Sequence, residues 1–79
     1  MNVRAYYDVM AIPGDDEGWH VTRDTHVLKW HADKIDAVLD AVERAVNEAE
    51  GGGSTSLRIK GRDGRIEQER TYSASRRSL

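Results

Sequence analysis

With 79 residues, one third of them charged, and no cysteine, the chain has room for one domain with a small core. The missing cysteines exclude a disulfide framework and a thiolate metal site, and they point to the cytoplasm. No apolar run exceeds Val9 to Ile12, against the ~20 residues a membrane helix needs, and residues 1–12 lack a signal-peptide pattern.

The net charge of −2 hides a division. Residues 1–57 carry five basic and eleven acidic side chains, whereas residues 58–79 carry seven basic and three acidic ones. Such a bipolar chain attracts an anionic partner at one end, or another copy of itself.

Residues 3–12 alternate as a strand does. Val3, Ala5, Tyr7, Val9 and Ala11 fall on one face, and Arg4, Tyr6, Asp8 and Met10 on the other. Pro13-Gly14-Asp15-Asp16 breaks the run. Residues 18–31 read as two strands joined at Asp24-Thr25. With Arg23 opposite His26, Val21 faces Leu28 and Trp19 faces Trp30, which gathers four large apolar residues on one side. The opposite side then carries His20, Thr22, Val27 and Lys29.

Asp33 is placed to cap a helix, with Asp36 at the capping-box position. Ile35, Val38, Leu39, Val42, Val46 and Ala49, with Ala45 beside them, form the stripe expected to face the core. Asp40 and Arg44 make a four-residue ion pair worth roughly 0.3 kcal/mol. Gly51-Gly52-Gly53 ends the helix, with Gly51 expected in the left-handed conformation. Glu48 and Glu50 sit at the negative dipole end, where an acidic residue is out of place.

Leu57 and Ile59 point inward from the next strand. Asp63-Gly64 is a strong hairpin signal, read as a type I′ turn. Ile66, Gln68, Arg70 and Tyr72 then share the inward side. Asp63 is thus a turn residue at an exposed tip; a catalytic acid needs a pocket to shift its pKa. Residues 73–79 read as a disordered basic tail after a domain of residues 1–72. The fold class expected is α+β: a mostly antiparallel sheet of about five strands in the order β-β-β-α-β-β, with one helix on one face.

Several pieces of this pattern match a known family. They are Tyr7-Asp8-Val9, Gly18-Trp19 with Val21, Asp33-Lys34-Ile35-Asp36-Ala37, Gly61-Arg62-Asp63-Gly64-Arg65-Ile66 and Thr71-Tyr72. In their order and spacing the chain resembles the small prokaryotic family catalogued as domain of unknown function 2188, over roughly residues 6–72. It departs from that pattern in its three glycines and basic tail, and in Asp33, where the family more often has threonine. The resemblance implies the architecture and carries no activity.

Each group with chemical potential also has a plainer reading. His20, His26 and His31 could ligate a metal, but His20 and His31 share the outer face without an acidic third ligand, so no metal is expected. Trp19 and Trp30 read as a cross-strand pair under the helix, in place of a ligand cage. No glycine-rich phosphate loop, Gly-x-Ser-x-Gly or cysteine nucleophile is present, so the chain reads as non-enzymatic and free of cofactors. The open sheet face, with Tyr6, Met10, His20, Val27 and Lys29, is the expected interface of a homodimer or of a contact with another protein. The alternative is a nucleic-acid-binding accessory protein using Arg58, Lys60, Arg62, Arg65, Arg76 and Arg77; Glu67 and Glu69 dilute that basic surface.

Overall fold

The computed structural model describes residues 3–14 and 18–73. Five strands and one helix follow in the order β1 (Ala5–Ala11), β2 (Trp19–Arg23), β3 (His26–His31), α1 (Lys34–Glu50), β4 (Ser54–Lys60) and β5 (Ile66–Ser73). The strands form one sheet in the order β3-β2-β1-β4-β5. Three neighbouring pairs are antiparallel, but β1 and β4 run parallel, so the sheet is mixed. Parallel neighbours need a long crossover. Here β2, β3 and α1 together make it, and α1 is laid across one face of the sheet. No helix among the described residues is long and apolar enough to cross a membrane.

The period-two reading of β1 holds beneath α1, where Ala5, Tyr7 and Val9 are buried. Val21 and Ile59 stand beside Val9 across the sheet, Leu57 stands beside Tyr7, and with Trp19 they complete the small core. Asp24 and Thr25 close the β2–β3 hairpin, both at positive φ as a type I′ turn requires. Asp24 also ties this turn to β1. Its Oδ1 accepts the Tyr6 N–H at 2.9 Å, and its own N–H donates to the Tyr6 carbonyl at 2.8 Å.

Beyond that turn the β2–β3 register departs from expectation. Arg23 faces His26 and Thr22 faces Val27, but a bulge then sets Val21 opposite Lys29, His20 opposite Trp30 and Trp19 opposite His31. One extra residue, Leu28, reverses the faces of everything after it. Trp19 is 6% exposed, while Trp30 moves to the open face at 52%. Lys29 leaves the open face that it was assigned to. The physical reason lies in coverage: β3 is an edge strand, and bulges are common at edges.

The helix is rotated relative to its most hydrophobic stripe. Ala37, Ala41, Ala45 and Ala49 are buried, whereas Ile35 and Leu39 are 73% and 64% exposed. Alanines at four-residue spacing let the helix approach the sheet closely. Thr55 Oγ1 reaches the Ala45 carbonyl at 2.8 Å as a result. Leu57, Val9 and Val21 fill the volume below. Asp33 occupies the cap position without a side-chain capping bond. Its carbonyl accepts the Ala37 N–H at 3.2 Å instead. Gly51 keeps a right-handed φ of −79°, so the positive angles fall on Gly52 and Gly53.

The β4–β5 turn, unlike the β2–β3 turn, is not type I′. Gly64 N–H donates to the Gly61 carbonyl at 3.0 Å, and of the central residues none has positive φ; Gly64, at +85°, follows them. This is a type I turn followed by a glycine bulge. Asp63 remains a turn residue, with Oδ1 accepting the Arg65 N–H at 3.0 Å. A second irregularity sets Ile66 opposite Lys60 and Gln68 opposite Ile59, which turns Ile66 outward. Ser73 ends β5, and the rest of the expected tail lies outside the described residues.

Candidate functional site

The open face of the sheet is built around a polar row. Register places Thr22, Asp8, Arg58 and Glu69 side by side across β2, β1, β4 and β5. Asp8 is only 6% exposed although no helix covers it. Arg58 clamps its carboxylate with two bonds, Nε to Oδ1 at 2.7 Å and Nη2 to Oδ2 at 3.2 Å. Lys60 stands 3.8 Å from Oδ2. The Arg58 guanidinium also lies 4.9 Å from the Tyr6 ring centre, so one cation serves both groups. The buried Thr22 hydroxyl has no hydrogen-bond partner.

Apolar side chains surround this row. Tyr6, Val27, Trp30 and Ile66 are each 42–56% exposed. Met10 and His20 are half-buried beside them. Of the five residues expected on this face, Tyr6, Met10, His20 and Val27 are there. Lys29 is not, because its partner Val21 points into the core. Trp30 and Ile66 were missed, since each sits beyond a bulge that alternation cannot reveal. The histidines are separated for the same reason. His20 faces outward, whereas His31 pairs with Asp40 of α1 at 2.8 Å. Among the described residues no three His, Asp or Glu gather as a metal-binding group.

The basic side chains of the last hairpin are spread over different surroundings. Arg58 and Lys60 meet Asp8 on the open face. Arg65 reaches Asp63 at 3.7 Å at the tip. Arg62 stacks 4.7 Å from the Trp19 ring centre, and Lys34 lies 5.0 Å from the same ring. Arg76 and Arg77 lie outside the described residues.

Under the helix, Glu48 is the hub of a polar cluster. Arg23 donates to both of its oxygens, at 2.9 and 2.6 Å, and the Tyr7 hydroxyl donates to Oε1 at 2.6 Å. Arg4 approaches at 3.4 Å and bonds the Gly52 carbonyl at 2.7 Å. These partners explain an acidic residue at the wrong end of the helix dipole: two guanidinium groups outweigh the partial charge there. The Arg23 hydrogen bonds hold the Glu48 carboxyl down at about 2, despite partial burial. Burial, followed by the hydrogen bond to Glu48, pushes the Tyr7 hydroxyl above its ordinary value. At Asp40 burial acts upward, but hydrogen bonds from His31 and Arg44 outweigh it and lower its pKa. Both carboxylates are therefore clamps between elements, charged at neutral pH.

A groove of about 280 Å³ runs between α1 and β5, lined by Lys34, Ile35, Val38, Leu39, Ile59, Glu67 and Gln68. An ion pair between Lys34 and Glu67 spans one end. The apolar wall is the stripe that the rotation of the helix left uncovered.

No curated protein and no solved structure matches the chain. A family model covers residues 7–72, a span that holds most of β1 and all of β2, β3, α1 and β4. The chain belongs to DUF2188, a family of uncharacterized proteins conserved in bacteria.

Proposed function

We propose that the chain is a small, non-enzymatic interaction or assembly module that works as a homodimer and presents its open sheet face to a protein partner. The observation that carries this reading is that Tyr6, Val27, Trp30 and Ile66, all half-exposed, stand around a polar row on one uncovered face. Large apolar side chains left exposed on one face mark contact sites. The sheet edges favour contact through a face over strand addition. β3 carries a bulge and Lys29, and β5 a register shift with Glu67, Glu69 and Arg70, all devices that blunt an edge. The partly buried carboxylates support the non-enzymatic part, because Asp8, Asp40 and Glu48 are each engaged by arginine.

The test is solution mass by light scattering, beside titration with single- and double-stranded oligonucleotides at two salt concentrations. Twice the chain mass, with no salt-steep binding, supports the module. A monomer at high concentration that binds oligonucleotides with steep salt dependence would overturn it in favour of the nucleic-acid reading.

A further inference from the structure

Five strands at ~4.8 Å spacing span about 19 Å between the outer axes, and packed helices lie ~8–10 Å apart. The covered face of this sheet therefore has room for two helices, and the chain supplies one. α1 is bonded to β1 through Tyr7–Glu48, to β3 through His31–Asp40 and to β4 through Thr55–Ala45, and its first turn reaches β5 through the Lys34–Glu67 ion pair. Past that ion pair the space over β5 is open: residues 68–71 are all exposed, and the α1–β5 groove leads there.

The wall of that space has a helix-pairing pattern. Ile35, Leu39, Val42 and Val46 are spaced by four, three and four residues, the seam spacing of two packed helices. They flank the alanine stripe that holds α1 to its own sheet. The unpaired charges are complementary too. Among the described residues, Glu43 on α1 and Arg70 on the groove side of β5 have no ion-pair partner. We infer that the missing helix is α1 of a second copy, laid antiparallel to the first across a two-fold axis.

The register of that contact follows from the spacing. A two-fold at the middle of the seam sets Leu39 against Val42 of the partner subunit, and Ile35 against the partner's Val46. Gln68 shares the groove with Ile35. Two strand residues advance ~6.6 Å, about four helical residues, so Arg70 lies level with Leu39. At that level the antiparallel helix presents Glu43 of the partner subunit to Arg70, and the symmetry makes the pair twice. Each helix then packs between two sheets, and both open faces point outward. The inference rests on the homodimer proposed above but places the join on the opposite side from the partner-binding face.

Sedimentation equilibrium on the full chain tests it. Leu39→Glu and Ile35→Glu should each raise the dimer dissociation constant by roughly 30-fold or more, the scale of a contact hot spot. Both positions are exposed, so each variant should keep the wild-type circular dichroism and melt as a folded monomer. Arg70→Glu should weaken the dimer, and adding Glu43→Arg should restore it to within a few-fold. Trp30→Lys on the open face should leave it unchanged. If Trp30→Lys dissociates the protein while Leu39→Glu does not, the groove assignment is overturned and the homodimer stands. A wild-type monomer at every concentration overturns both.

Discussion

β4 and β3 make an instructive pair. β4 reads Ser-Thr-Ser-Leu-Arg-Ile-Lys, and Ser54, Thr55 and Ser56 are buried along with Leu57 and Ile59. β3 reads His-Val-Leu-Lys-Trp-His, and not one of its residues is buried. The more polar strand is inside and the more apolar one outside. β4 lies between two strands with the helix above it, whereas β3 is an edge that α1 touches at its end, through His31 and Asp40. Position in the sheet decides burial here, and hydrophobicity follows it only loosely. Thr55 tolerates the interior because its hydroxyl is spent on the Ala45 carbonyl.

The contrast is broken most directly in the core. Leu57→Ala and Trp19→Ala should each cost roughly 3–5 kcal/mol, through lost burial and a cavity, while Trp30→Ala should cost less than about 1 kcal/mol. Urea unfolding compares them. Equal losses at Trp19 and Trp30 would put Trp30 back inside and undo the bulge.

Acid sharpens the same comparison between buried clamps and exposed edges. Glu48 titrates at about 2 when folded, against an ordinary value of 4.5. Between these values the unfolded chain binds more protons, so stability falls as pH drops from about 4.5 toward 2; above that window the contribution is complete. Screening at the solvent-exposed arginines limits it to roughly 1–2 kcal/mol. Glu48→Gln should lose that amount at neutral pH and flatten the acid limb of a pH–stability curve. An unchanged acid limb would mean that another carboxylate governs it.

The two hairpins differ in how they satisfy positive φ, and small effects separate them. Gly64→Val should cost roughly 1–2 kcal/mol from backbone strain alone, because nothing lies within 4 Å of a Cβ there. Thr25 already holds φ +76° with a β-branched side chain, so Thr25→Gly should stabilise by roughly 0.5–1 kcal/mol. Asp63→Asn should be nearly silent, since asparagine can accept the Arg65 N–H in the same way. Thermal melts rank all three. A destabilised Thr25→Gly would show that the threonine side chain makes a contact worth more than its strain.

Much of this was legible in the residues, and the losses have physical causes. Alternation and turn chemistry gave the number and order of the elements, the Asp24-Thr25 turn and the inward sides of β1 and of residues 57–60, but the polar first half of β4, Ser54 to Ser56, reads as a linker in sequence. Two single-residue irregularities, at Leu28 and Glu67, then reversed Trp30 and Ile66. A bulge changes no local propensity, so nothing in either strand announces it. The helix was misread for a different reason. Its periodicity marks a broad apolar sector, and the larger side chains, Ile35 and Leu39, seemed to define its centre. Close packing selected the alanines instead. The clamps on Asp8 and Glu48 join residues far apart in the chain, beyond the reach of spacing rules. That distance hid half of the open face's chemistry.

The parallel pairing of β1 with β4 also bears on how the chain reaches this shape. Asp8 and Arg58, neighbours across that pair, are 50 residues apart in sequence. The loop between them contains β2, β3 and the whole helix, and its closure costs entropy before any central contact repays it. Half of the sheet is thus separated from the other half until the chain is nearly complete. Topologies dominated by such distant contacts fold slowly for their size, in milliseconds or longer, whereas helical chains of similar length take microseconds. Stopped-flow refolding monitored at Trp19 should therefore show one slow, cooperative phase. Substitutions along the β1–β4 seam should change the rate of folding more than those in β3.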